Sequence, residues 1–142
     1  MGMSIDAKSR ILQTMLGKTQ NISLANTAYI GLFTSEPTYT ASGYNYNEPD
    51  TTKGYGRTML GNYNNQAGQL MAIDSTDGHA YNSAIIYFPE ATDSWGEITH
   101  FGIFSSPSGG TPLLWGALST PITVPANYVP LFRVNALTIS FE

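Results

Sequence analysis

Apolar positions recur with two different periods along this chain. Near the start, Ile5, Ile11, Leu12, Met15 and Leu16 share one side at helical spacing. Ser4 stands as N-cap, Asp6 sits in the first turn where the helix dipole favours an acid, and Gly17 closes the run with Lys18 beside it. Residues 4–17 are therefore expected to form one short helix. Beyond it the pattern is that of strands. TAYIGLFT, from Thr27 to Thr34, is apolar on both alternating faces, which marks a central strand, buried or covered by a partner. Shorter runs follow at Arg57 to Leu60, Gln66 to Ile73, Ala80 to Phe88, Glu97 to Phe104, Leu113 to Leu118, Val129 to Val134 and Leu137 to Phe141. Turn formers separate them at short intervals, which favours antiparallel pairing. In the last run Leu137, Ile139 and Phe141 are expected to face inward, and Pro121, Pro125 and Pro130 suit an edge or corner. The pattern predicts a mainly β chain. Its expected form is one domain over 1–142, a single antiparallel, jelly-roll-like β-sandwich from 27 onward behind one N-terminal helix.

Two stretches stand out from this alternation. Residues 35–56, SEPTYTASGYNYNEPDTTKGYG, hold no sustained period and read as a long, exposed polar loop. Loops of that length in a compact domain usually bind something or order on assembly. Tyr39, Tyr44, Tyr46 and Tyr55 offer contact area at low entropic cost, and they are candidate partner contacts. Ile11 and Met15 of the helix join them, should the helix dock on a neighbouring subunit; the plainer expectation is that it caps its own sandwich. The second stretch, Asn82 to Leu118, orders its aromatic and glycine residues as two strands joined by a hairpin. Trp95, His100, Phe104 and Trp115 within it are expected to be structural core.

Composition narrows the functional classes. Only 11% of the 142 residues are charged while 12% are aromatic, so the exterior is built of Asn, Thr, Ser, Tyr and Gly. Such a surface loses little on being covered, and homo-oligomers are expected. A net charge of −4 with six scattered basic residues argues against nucleic acid. No cysteine is present, which removes disulfides, thiolate nucleophiles and cysteine-ligated zinc. No leader pattern or span of about 20 apolar residues is visible, so a chain soluble inside the cell when made is expected, with no membrane partner. At 15.4 kDa the folded chain is expected to expose roughly 7,000 Å².

Candidate chemistry is sparse. His100 and Glu97 would point to opposite faces of a strand, which works against a dyad and leaves His100 a structural role. His79 follows Asp74, Ser75, Thr76, Asp77 and Gly78 in a turn whose oxygens could bind calcium, but the spacing lacks the EF-hand pattern and its distal glutamate, so an Asx-type turn is expected. Glu90 and Asp93 flank the turn before Trp95 and suit capping better than sugar hydrolysis. Trp95 and Trp115 sit in apolar settings that favour packing over a sugar platform. No catalytic residue, metal or cofactor is expected.

The succession of a leading helix, AYIGLFTSEPT, a variable polar loop, GYGR, the Asn82–Leu118 block, TPITV and a closing ALTISFE resembles a family of small structural proteins of tailed bacteriophages. The likeness spans nearly the whole chain outside the loop between Tyr39 and Lys53, and consists of packing and turn residues. Ser105-Ser106, where an Asp often follows the Phe, and the apolar Val129–Arg133 segment depart from it. The resemblance implies a non-enzymatic virion component assembled in the host cytoplasm, with major capsid or tail proteins as partners. A capsid decoration or cement protein that stabilises the head is the favoured expectation, because the extended repeats and heptads of fibres are missing. The alternative is a tail-fibre or minor tail protein engaged in host receptor adhesion.

Overall fold

The computed structural model describes residues 2–18, 26–40 and 42–141; the expected domain limits at 1 and 142, and Ala41 of the polar loop, lie outside them. The chain begins with β1 (Gly2–Met3) and the helix α1 (Ile5–Met15). Ser4 caps α1 by accepting from the Ala7 N–H, and Gly17 follows the helix with φ of 73°, the left-handed conformation that favours glycine. Then come β2 (Thr27–Phe33), the hairpin strands β3 (Thr38–Thr40) and β4 (Gly43–Asn45), a 3-10 turn at Thr51–Lys53, and β5 (Thr58–Asn62). A second 3-10 turn at Gln66–Gly68 precedes β6 (Met71–Ile73), β7 (Ala80–Asn82) and β8 (Ile86–Tyr87). The long strands β9 (Gly96–Phe104) and β10 (Leu114–Val124), then β11 (Leu131–Phe132) and β12 (Thr138–Ile139), complete the chain.

The expectation of a mainly β chain with one helix and antiparallel pairing is met. The strands form a five-stranded sheet in the order β1-β10-β9-β2-β5, a three-stranded sheet β12-β7-β6, and the pairs β11-β8 and β3-β4. That pairing does not itself define the two sheets of a jelly roll. The central TAYIGLF strand lies between β9 and β5, and both of its faces are apolar because each is covered, Ile30 and Leu32 by the main core and Phe33 by Tyr46 and Phe104. On one face Ile30 and Leu32 stand opposite Ile103 and Phe101, and this face carries the main core. Ile86, Phe88, Phe132, Leu137, Trp95 and Val124 close over it.

Three expectations shift. The return strand runs well past Leu118, because Leu118 to Pro121 bulge out opposite the single residue Thr99 and pairing then resumes at Ile122. Pro121 falls inside this bulge, where a missing N–H donor costs little. The slip also breaks the alternation of β9, so that Ile98 packs in the same core as Phe101 and Ile103. In the last strand Leu137 is buried, but Phe141 lies beyond β12 and is 67% exposed. The 35–56 stretch is no open excursion either. Its β3-β4 hairpin lies over the second face of the main sheet with Tyr44 against Trp115, while the Lys53 carbonyl at the end of the 3-10 turn accepts the Thr92 N–H and the Trp95 indole N–H.

Candidate interaction surface

The second face of the main sheet is made flat by glycine. Gly2, Trp115, Gly102 and Gly31 stand opposite one another in a row across β1, β10, β9 and β2. A Cβ on Gly2 would lie 2.0 Å from the Trp115 indole, and one on Gly102 would lie 2.4 Å from the Phe33 ring. Aromatic rings therefore lie directly on the backbone. Phe33 and Phe104 are fully buried there, with Tyr46 packed edge-on against Phe104 at 5.4 Å.

Over this layer sits a polar network that the sequence does not advertise. The Arg57 guanidinium and Glu48 carboxylate pair in a fork, Nε to Oε2 at 3.1 Å and Nη2 to Oε1 at 2.6 Å. The Arg57 side chain is 2% exposed and that of Glu48 is 16% exposed. Arg57 also donates to the Ser106 and Gly109 carbonyls, both at 2.9 Å, and its guanidinium lies 3.4 Å from the Phe104 ring centre. Tyr55 donates a short hydrogen bond to Glu48 and accepts the Leu32 N–H at 3.0 Å. Burial, and next the adjoining Glu48 carboxylate, push the Tyr55 phenol upward. Burial pulls the Arg57 guanidinium down, but the Glu48 hydrogen bonds and charge outweigh it and leave the group above its ordinary value. The Gly54-Tyr55-Gly56-Arg57 element thus ties the polar loop and the β9–β10 turn to the sheet.

The candidate contact residues separate in this frame. Tyr55 is buried and turned inward, which corrects its assignment to a partner contact: its ring meets Trp95 edge-on at 5.3 Å and both sides of its hydroxyl are engaged. Tyr46 is half-buried and donates to the Gly110 carbonyl. Tyr44 accepts the Ile5 N–H at 2.7 Å, so the hairpin and the first turn of α1 are joined. Tyr39, 60% exposed, lies tilted against Tyr44 with ring centres 4.9 Å apart, and Tyr44 meets Trp115 edge-on at 5.6 Å. The outcome is an aromatic stair from half-buried Trp115 to exposed Tyr39.

In the helix, Ile11 is half-buried, whereas Met15 is 75% exposed and Leu16 69% exposed, with Ile5 and Leu12 also open. The expectation that α1 caps its own sandwich is overturned, since only Ala7 of its residues is buried. Periodicity identified the apolar side of the helix but not what covers it.

The remaining expected core residues lie as follows. Trp95 is buried and donates its indole N–H to the Lys53 carbonyl at 2.8 Å, and Phe104 is fully enclosed. His100 is half-buried with its Nδ1 2.8 Å from the Thr99 hydroxyl, and no hydrogen bond joins it to exposed Glu97 among the described residues. Trp115 lies on the hairpin side of the sheet and not in the main core. Asp93 caps its turn through the Ser94 N–H at 2.8 Å; Glu90 is exposed.

Ligand atoms of Asp74, Asp77 and His79 lie within 4.8 Å of one another, but their carboxylates serve the turn itself. Asp74 accepts the Thr76 N–H at 2.8 Å and Asp77 the His79 N–H at 3.1 Å, an Asx arrangement that accounts for the cluster without an ion. Sequence reading missed Glu48, Arg57 and Asn82. It also missed a groove of about 600 Å³ between the main sheet and the β6-β7 hairpin, lined by Leu60, Tyr63, Met71, Ile73 and Phe141 among others.

Among the described residues no helix is long and apolar enough to cross a membrane. No curated protein matches the chain. A family model described as Podophage GP4 fiber I protein gp80 does match, over residues 2–140, and the chain belongs to that family.

Proposed function

We propose that this chain is a non-enzymatic fibre component of a tailed-phage virion that adheres to the host surface through its aromatic hairpin. Family membership makes it a phage structural protein, and the fibre description favours this reading over the capsid-decoration one. The observation that carries the adhesive part is the stair of Tyr39, Tyr44 and Trp115, an exposed ring backed by two others on a rigid sheet. Tyrosine on such a support gives contact area with little conformational entropy to lose. Virion location and other virion proteins as partners accompany the reading.

Fluorescently labelled protein is expected to adsorb to host cells and to compete with phage infection. Tyr39→Ala is expected to reduce adsorption about tenfold, the equivalent of roughly 1.4 kcal/mol, without changing the melting temperature. Equal adsorption by the two proteins, or none by the wild type, would sink the adhesive reading. Deleting the whole polar loop is the wrong probe, since it removes Glu48 from the core network.

The exposed apolar face of α1 favours one second reading, a decoration subunit seated on the head. In that case purified protein binds expanded capsids that lack it and raises their melting temperature.

A further inference from the structure

Among the described residues two apolar surfaces lie open, and they differ in shape and charge. The first is a ridge, the face of α1 formed by Ile5, Leu12, Met15 and Leu16, with exposed Lys8 and Lys18 beside it. The second is the groove between the main sheet and the β6-β7 hairpin, whose rim residues Tyr63, Ile73 and Phe141 are about as open as the helix face. Asp74 follows directly on Ile73, and Asp77 lies in the same β6–β7 turn. The Thr76 hydroxyl and N–H hold Asp74 below the usual carboxylate range, so it is charged at neutral pH.

Charge points to the occupant. With Asp6 against Lys8, Arg10 and Lys18, the helix segment carries +2, which leaves −6 on the rest of a chain whose net charge is −4. The ridge thus suits the body from which it protrudes.

We propose that α1 of one copy docks its Ile5–Leu12–Leu16 face into the Tyr63–Ile73–Phe141 groove of a second copy, with Lys8 and Lys18 toward the Asp74–Asp77 turn. The helix is 11 residues long, about 16 Å, which is long enough to lie along a groove. The contact is heterologous, ridge to groove, so successive copies form a ring or an open stack unless two copies exchange helices reciprocally. This assembly is independent of the adhesive reading: it fails or holds whatever the hairpin binds.

Leu12→Glu and Ile73→Glu each disable one half of the contact at an exposed position. Light scattering on a sizing column at tens of micromolar is expected to give an assembled wild type, and a single chain of 15.4 kDa for either variant. Mixing the two variants is expected to restore a pair, because one retains the helix and the other the groove. A wild type that is monomeric, or a variant that stays assembled while still folded, overturns the proposal. A mixture that remains monomeric also overturns it, and points to a helix-to-helix contact or to another virion protein on these faces. Should either variant misfold by circular dichroism, Met15→Glu and Phe141→Glu take their places.

Discussion

Replacing Arg57 by alanine is expected to lower the unfolding free energy by about 3 to 5 kcal/mol, the cost of leaving one member of a buried ion pair alone. Glu48 would keep its charge at a mostly buried site and lose both guanidinium bonds. The carbonyls of Ser106 and Gly109 would lose their donor, and Phe104 the cation against its ring. Total stability of a domain is only about 5 to 15 kcal/mol, so the variant sits near the limit of folding. Urea unfolding followed by tryptophan fluorescence measures the loss. Arg57→Lys keeps the charge without the planar fork and is expected to recover less than half of it. A loss below about 1 kcal/mol for Arg57→Ala would mean that the pair behaves as a surface bridge.

Asn82→Ala is expected to be almost as damaging, at about 3 to 5 kcal/mol, for a different reason. Asn82 is fully buried and its amide is used from both ends. The side-chain NH2 donates to the carbonyls of Ala84 at 2.9 Å and Arg133 at 2.8 Å, while its Oδ1 accepts the Leu137 N–H at 2.9 Å. Truncation orphans the buried Leu137 N–H and two part-buried carbonyls, where a fully buried group costs about 1 to 3 kcal/mol and the part-buried ones less. Those groups fix the 133–137 turn against β7, so hydrogen exchange at Leu137 and Ile139 is expected to accelerate before the rest of the sheet unfolds. Asn82→Asp is the sharper probe, since a carboxylate would face two carbonyls. Melting curves of the variants beside the wild type decide the matter, and unaltered melting of Asn82→Ala would refute the role of this hub.

What the sequence makes legible here is whatever has a local cause. Ser4 and Gly17 bound the helix because capping involves neighbouring residues. TAYIGLF reads as a central strand because both of its faces are covered, and Leu113 to Leu118 reads as a return strand because it follows a turn. Little local marks Asn82, since apart from the Ala84 carbonyl its side-chain partners lie at 132–137, some fifty positions away. Glu48 and Arg57 are nine positions apart in a stretch rich in Asn and Thr, where charge reads as solvated until the Phe33–Phe104 layer is known to lie beneath it. The row of Gly2, Gly102 and Gly31 shows only when register brings the strands together. The candidate surface was half legible. Tyr39 and Met15 are exposed as a contact residue must be, but tyrosines alternating through a polar loop do not reveal that Tyr55 turns inward and Tyr44 bridges to the helix.

The central claim, that this chain is a fibre component of the virion, is tested most directly by imaging virions labelled with a gold-conjugated antibody raised against the purified protein. Label concentrated on fibres at the tail is the expected result. Label distributed evenly over the head would contradict it and restore the decoration reading.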